Sequence, residues 1–356
     1  MRQPLALGLM LAFASPMVHA DEPLQVVTSF SILADMVEQV GDEHVEVTSL
    51  VGTDSDTHVF SPSPTDAQRL AEADLVVFNG LQLEGWMQRL LDASEYAGTL
   101  VVASDDVETL AGHAHNHGHL EHDEHHADHA DEHHDHADEH HAEHADEHHD
   151  HADEHHVEHA SHTHGGVNPH AWLDVERGQQ YVVNIRDGLI ETDPANAEAY
   201  RQNAEQYLAE LEALDDEIHA LIESIPEPQR VVVTGHDAFG YFSDAYAVRF
   251  LSPVGLNTAA APSAADMARL VDVIHDNNVR ALFHENITNP ALIRQLAEEA
   301  DLPIAGTLYS DALASDGEAA SYAGMMHHNA TLIHDALTRG GHTGDDTHDE
   351  GHAHAH

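Results

Sequence analysis

Residues 194–225 read PANAEAYRQNAEQYLAELEALDDEIHALIESI, and this stretch decides the architecture. It opens on Pro194, which suits the first turn of a helix, and stops before Pro226, which cannot continue one. Between them the chain is rich in Ala, Glu and Leu, with apolar positions at Tyr200, Leu208, Leu211, Leu214, Ile218 and Leu221. At 1.5 Å per residue the predicted helix is roughly 45 Å long, more than one small domain needs. Such an element is expected to join two bodies.

Both flanks support that division. Ahead of the helix, apolar β-branched runs at 24–30, 44–51, 73–80 and 99–104 read as buried parallel strands, with helical patterns near 31–41, 63–73 and 84–94 between them. Ser63-Pro64-Thr65-Asp66 is an N-cap followed by proline at the first helical position. Behind the helix, strands at 230–235, 247–252, 279–284 and 303–308 alternate with helices at 264–278 and 289–300. The expected fold is α/β: two lobes, each a parallel sheet flanked by helices, joined by one long helix. The domains are expected at 21–193, 194–225 (the link) and 226–340.

The remaining segments are of other kinds. Residues 1–20 read as a cleavable export signal, with Arg2, an apolar run from Leu5 to Ala14 and Val18-His19-Ala20 before Asp21. Residues 113–164 hold 22 histidines, 16 acids and four copies of HADEHH, a composition that predicts a disordered loop. Residues 341–356 form a smaller tract with five histidines and four acids. The whole chain of 356 residues has 65 acids, 12 basic residues (all arginine), 38 histidines and no cysteine. A charge of −53 argues against nucleic acid and anionic lipid as partners. Without cysteine there is no disulfide, thiolate metal site or lipid-modified cysteine. The expectation is a soluble periplasmic protein of a two-membrane bacterium, exported and not a lipoprotein.

Eleven histidines lie outside the two tracts. His219, His275, His327, His328 and His334 fall in helical patterns and His44 at a turn, where a solvated surface is the expected setting. His58, His170 and His236 instead sit in loops at strand or helix boundaries, where α/β folds place their ligands.

At these three residues the chain resembles the cluster A-I (cluster 9) solute-binding proteins of bacterial ABC importers, the zinc and manganese group. The resemblance rests on the pattern from Gly52 through Asp54, His58, Phe60, Pro62 and Pro64 to Asp66, and on NPHAWLD at 168–174, HDAFGYF at 236–242 and LYSDAL at 308–313. An acidic histidine-rich insertion in the first lobe is typical of the zinc members. The resemblance implies four metal ligands, His58, His170, His236 and Asp311, two from each lobe, with the metal in the cleft and the long helix limiting hinge motion. It also implies as partners an inner-membrane permease with its ATPase, and a periplasmic zinc chaperone, with the protein itself a monomer. Glu285 and Asp174 are read as packing or supporting groups, and His284 as a covered strand-end histidine.

Three neutral imidazoles and one carboxylate suit tetrahedral Zn²⁺. Manganese favours more oxygen ligands, and manganese members of the family tend to place a glutamate where this chain has His236. The expected function is therefore capture of Zn²⁺ and delivery to an ABC importer, with zinc buffering, or manganese as the ion, as alternatives. The histidine tract is expected to add weak zinc sites. A zinc hydrolase is the remaining rival, but four protein ligands would close the site and no H-E-x-x-H motif occurs; the reading is not an enzyme.

Overall fold

The computed structural model describes residues 22–112, 166–259, 261–277 and 279–339. The signal reading of 1–20, the histidine tract 113–164 and the tail 341–356 lie outside these residues.

Each half of the chain builds a four-stranded parallel sheet. In the first, β1 (Leu24–Phe30), β2 (Val45–Val51), β3 (Leu75–Phe78) and β4 (Thr99–Val102) take the order β2-β1-β3-β4. Parallel neighbours cannot be joined by a hairpin, so helices α1 (Ser31–Gly41), α2 (Pro64–Glu72) and α3 (Met87–Ser94) make the crossovers. The predicted cap of α2 forms as a capping box between Ser63 and Asp66. The chain then runs through α4 (Val175–Thr192) and the long α5 (Ala197–Glu223). In the second half β5 (Val231–Val233), α6 (Gly240–Tyr246), β6 (Arg249–Leu251), α7 (Ala264–Asp276), β7 (Leu282–Glu285), α8 (Pro290–Ala300) and β8 (Ile304–Leu308) repeat the pattern with order β6-β5-β7-β8. Helix α9 (Tyr322–Arg339) closes the described chain. In both sheets the chain pairs on one side of the first strand and then crosses to the other. This reversal opens a crevice at the carboxyl ends of the strands.

The linking helix forms, 27 residues long, and four of its six predicted apolar positions, Tyr200, Leu211, Leu214 and Ile218, are buried. Tyr200, Ala204, Tyr207, Leu211, Leu214, Ile218 and Ile222 make up the buried face, at spacings of three or four, whereas Leu208 and Leu221 are only half-buried at its margin. That face packs on α1 and α4 of the first half and on α6 and α9 of the second. One apolar core therefore runs from Val26, Phe30 and Met36 through Leu211 and Ile218 to Phe242, Phe283 and Met326. The second sheet has alternating faces: Val232 and Phe283 join this shared core, while Val233 and Leu282 close a smaller one with Met267, Ile293 and Leu296. Hydrogen bonds reinforce the junction. Trp172 Nε1 donates to the Ser310 carbonyl (2.8 Å), Tyr322 Oη to the Trp172 carbonyl (2.7 Å) and Tyr241 Oη to the Asn168 carbonyl (3.0 Å).

Candidate metal centre

His58 lies in the loop after β2. Asp56 Oδ1 accepts its backbone N–H at 2.8 Å, and Trp86 Nε1 holds the loop by donating to the Thr57 carbonyl at 2.9 Å. His170 precedes a single 3-10 turn, Ala171–Leu173. Asn168 Oδ1 accepts its backbone N–H at 3.0 Å and sits 2.7 Å from its Nδ1, so Nδ1 carries the proton and Nε2 keeps a lone pair. His236 follows β5, and Glu285 at the end of β7 meets it with one hydrogen bond and one ion-pair contact. Oε1 accepts the backbone N–H (2.8 Å) and Oε2 lies 2.7 Å from Nδ1. Asp311 sits in the loop after β8, whose Leu313 N–H donates to Ser31 Oγ at 3.0 Å.

These four side chains, remote in sequence, converge from both halves of the chain. Their donor atoms all lie within 4.8 Å of one another, the one such group among the described residues. His58 Nε2 is 3.3 Å from His170 Nε2 and 3.2 Å from Asp311 Oδ2; Asp311 is 3.5 Å from His170 Nε2 through Oδ1 and 3.3 Å from His236 Nε2 through Oδ2. The side chains are between 0 and 3% exposed, so the group is shut off from water. Neither oxygen of Asp311 receives a well-directed hydrogen bond. The His170 Nε2 lone pair and the Asp311 carboxylate, 3.5 Å apart in a dry cavity, repel unless a proton or a metal cation lies between them.

The electrostatics express the same demand. Burial outweighs the attraction of Asp311 and lowers His170 to about 4, which keeps it neutral. Burial also opposes a charge on His236, but Glu285 and Asp311 together overcome it and raise this imidazole well above its ordinary value. Burial would raise Asp311, yet His170 and His236 hold it well below the carboxylate range.

The other sequence candidates stand elsewhere. Asp174 is the N-cap of α4, accepting from the Glu176 and Arg177 N–H groups, and has no part in the cluster. His284 lies on the opposite face of β7 from Glu285, where burial and Arg294 hold it below the ordinary imidazole range. His44 is half-buried rather than free, edge-on to the Tyr200 ring at 5.9 Å. His219 pairs with Asp215, and His327 lies between Glu217 and Glu318. The partner that sequence reasoning missed is Asn168. Its place two residues before His170 was the available signal, since an Asx side chain commonly accepts from the backbone two residues on.

A family model described as zinc-uptake complex component A, periplasmic, matches residues 26–336. The chain belongs to this family. It is a periplasmic, metal-binding solute-binding component of an ABC importer, a class that works with a membrane permease and its ATPase. Among relatives, it is 31% identical to the manganese-binding lipoprotein MntA of Halalkalibacterium halodurans, over 89% of this chain and 90% of the relative. It is 30% identical to the manganese-binding lipoprotein MntA of Bacillus subtilis, over 89% of this chain and 91% of the relative. Among solved structures, the periplasmic zinc-binding protein TroA of Treponema pallidum superposes with a TM-score of 0.71 at 25% identity, covering 89% of this chain and 99% of that one.

These relatives correct one expectation. The composition argued for a free, soluble protein that is not a lipoprotein, whereas both MntA proteins are lipoproteins. The expectation rested on the absence of cysteine, which excludes only a lipid joined to a cysteine of these 356 residues.

Proposed function

We propose that the protein captures one Zn²⁺ between its lobes, through His58 Nε2, His170 Nε2, His236 Nε2 and Asp311, and delivers it to the permease of an ABC importer. The observation that carries this reading is the convergence of the four groups at separations of 3.2, 3.3, 3.3 and 3.5 Å. A tetrahedron with bonds of 2.0–2.1 Å has edges of roughly 3.3–3.4 Å, which these four separations approach, and the full donor set lies within 4.8 Å. The borderline-soft set of three nitrogens and one carboxylate supports the same ion. The lobe boundaries at 193/194 and 225/226, and weak zinc sites on the 113–164 tract, belong to this proposal.

The manganese-binding relatives favour a second reading, in which the ion is Mn²⁺. Competition decides between them: purified full-length protein is titrated with Zn²⁺ and with Mn²⁺ against chelators of known affinity. Tight zinc and weak manganese, with zinc lost in Asp311→Ala and His236→Ala but kept on deletion of 113–164, is the expected result. Preferred manganese, or zinc bound equally well by Asp311→Ala and His236→Ala, refutes the proposal.

A further inference from the structure

Two adjacent residues at the end of β7, neither of them among the four, touch three of the chain segments that carry the cluster. Glu285, 3% exposed, accepts the His236 backbone N–H through Oε1 and sets Oε2 2.7 Å from Nδ1, an ion-pair contact rather than a well-directed hydrogen bond. The fit is close: a Cβ on Gly235 would lie 3.0 Å from Glu285 Oε1 and 2.6 Å from Thr288 Oγ1. Asn286 acts on the other side. Its Nδ2 donates to the Ala312 carbonyl, next to Asp311, and to Asp54 Oδ1 in the His58 loop, each at 3.1 Å. Asp54 completes the clasp: its N–H donates to the Leu313 carbonyl at 3.0 Å and its Oδ2 accepts from the Ser315 N–H at 3.3 Å.

We infer that Glu285 and Asn286 are a positioning pair that couples the two halves of the metal centre, Glu285 by aiming His236 Nε2 and Asn286 by clasping the His58 loop to the Asp311 loop. This rests on the metal reading above. The two residues act differently because their chemistry differs. A carboxylate at Nδ1 fixes the tautomer and makes the imidazole a stronger donor, whereas His170 has only the neutral amide of Asn168 in the corresponding place. Asn286 touches none of the four side chains in these contacts. Its hydrogen bonds must break before the His58 loop can leave the second half, so it governs release rather than donor strength.

The test uses full-length protein loaded with one equivalent of metal. Glu285→Gln preserves shape and an acceptor for the His236 N–H but removes the charge. It is expected to weaken zinc about 10–100-fold and to shift the visible bands of the Co²⁺-loaded protein, with the apo melting temperature retained. Asn286→Ala is expected to speed Zn²⁺ release into excess chelator about fivefold, the equivalent of one hydrogen bond. Asp54→Gly attacks the clasp from its other end at a position with φ 53°, where glycine is unstrained, and is expected to match that acceleration. Asp54→Asn keeps one of the two acceptors and is expected to release at a rate between those of the wild type and Asp54→Gly. Wild-type release rates in both Asn286→Ala and Asp54→Gly overturn the clasp. An unchanged Co²⁺ spectrum and zinc affinity in Glu285→Gln overturn the role of Glu285. His236→Ala and Asp311→Ala separate the two levels: if they bind zinc normally the metal reading fails, and if they lose it while the pair variants are silent only this inference fails.

Discussion

At the scale of the residue, the proton on His236 sets how metal binding responds to pH. Glu285 and Asp311 raise this imidazole well above its ordinary value, so the apo protein holds a proton there that Zn²⁺ must displace. Binding at neutral pH is therefore expected to release protons, and affinity to rise with pH across the neutral range; calorimetry in buffers of different ionisation enthalpy counts them. His170, lowered to about 4 by burial, is neutral throughout that range and adds competition only near its own value. Removing the acceptor behind it, in Asn168→Ala, is expected to weaken zinc about 10–100-fold, read by chelator competition. His58, His170 and His236 were legible in the sequence because each interrupts a pattern at a strand or helix boundary. Asp311 came from the resemblance to a family alone, since a single aspartate in an acidic chain has no local signal.

At the scale of the element, α4 was the main structure that the periodicity did not predict. Gly178 and Gly188 interrupt it, and an interior glycine costs a helix about 1 kcal/mol against alanine. The tertiary contact accounts for Gly178: a Cβ there would come within 2.2 Å of Tyr322 Oη, which donates to the Trp172 carbonyl. Gly178→Ala therefore sets propensity against packing. Packing is expected to win, with destabilisation of about 1–3 kcal/mol in denaturant unfolding; stabilisation would show that the contact relaxes. Asp174→Ala removes the cap of the same helix and is expected to cost about 1 kcal/mol. The margin of the buried face of α5 has a related cause. Leu208 and Leu221 are as apolar as their neighbours, and only packing against α1, α4, α6 and α9 selects Tyr207 and Ile222 instead.

At the scale of the whole molecule, the shared core means that the two sheets do not unfold as independent bodies. Phe30 and Met36 of the first half and Phe283 and Met326 of the second belong to one apolar cluster, with α5 between them. Calorimetry of the apo protein is expected to show one cooperative transition rather than two, and zinc to raise it as a ligand of the native state alone. Sequence by itself determined the order of the eight strands, the long link and the boundary positions of three of the four converging residues, because alternation, helical periodicity and boundary position are local properties of the chain. Tertiary structure alone decided the margin of the buried face of α5, why α4 carries Gly178, and which partners Glu285, Asn168 and Asn286 support. The physical reason is distance along the chain: Glu285 meets His236 across 49 residues and Asn286 meets Asp54 across 232, and only the packed fold brings such partners into hydrogen-bond range.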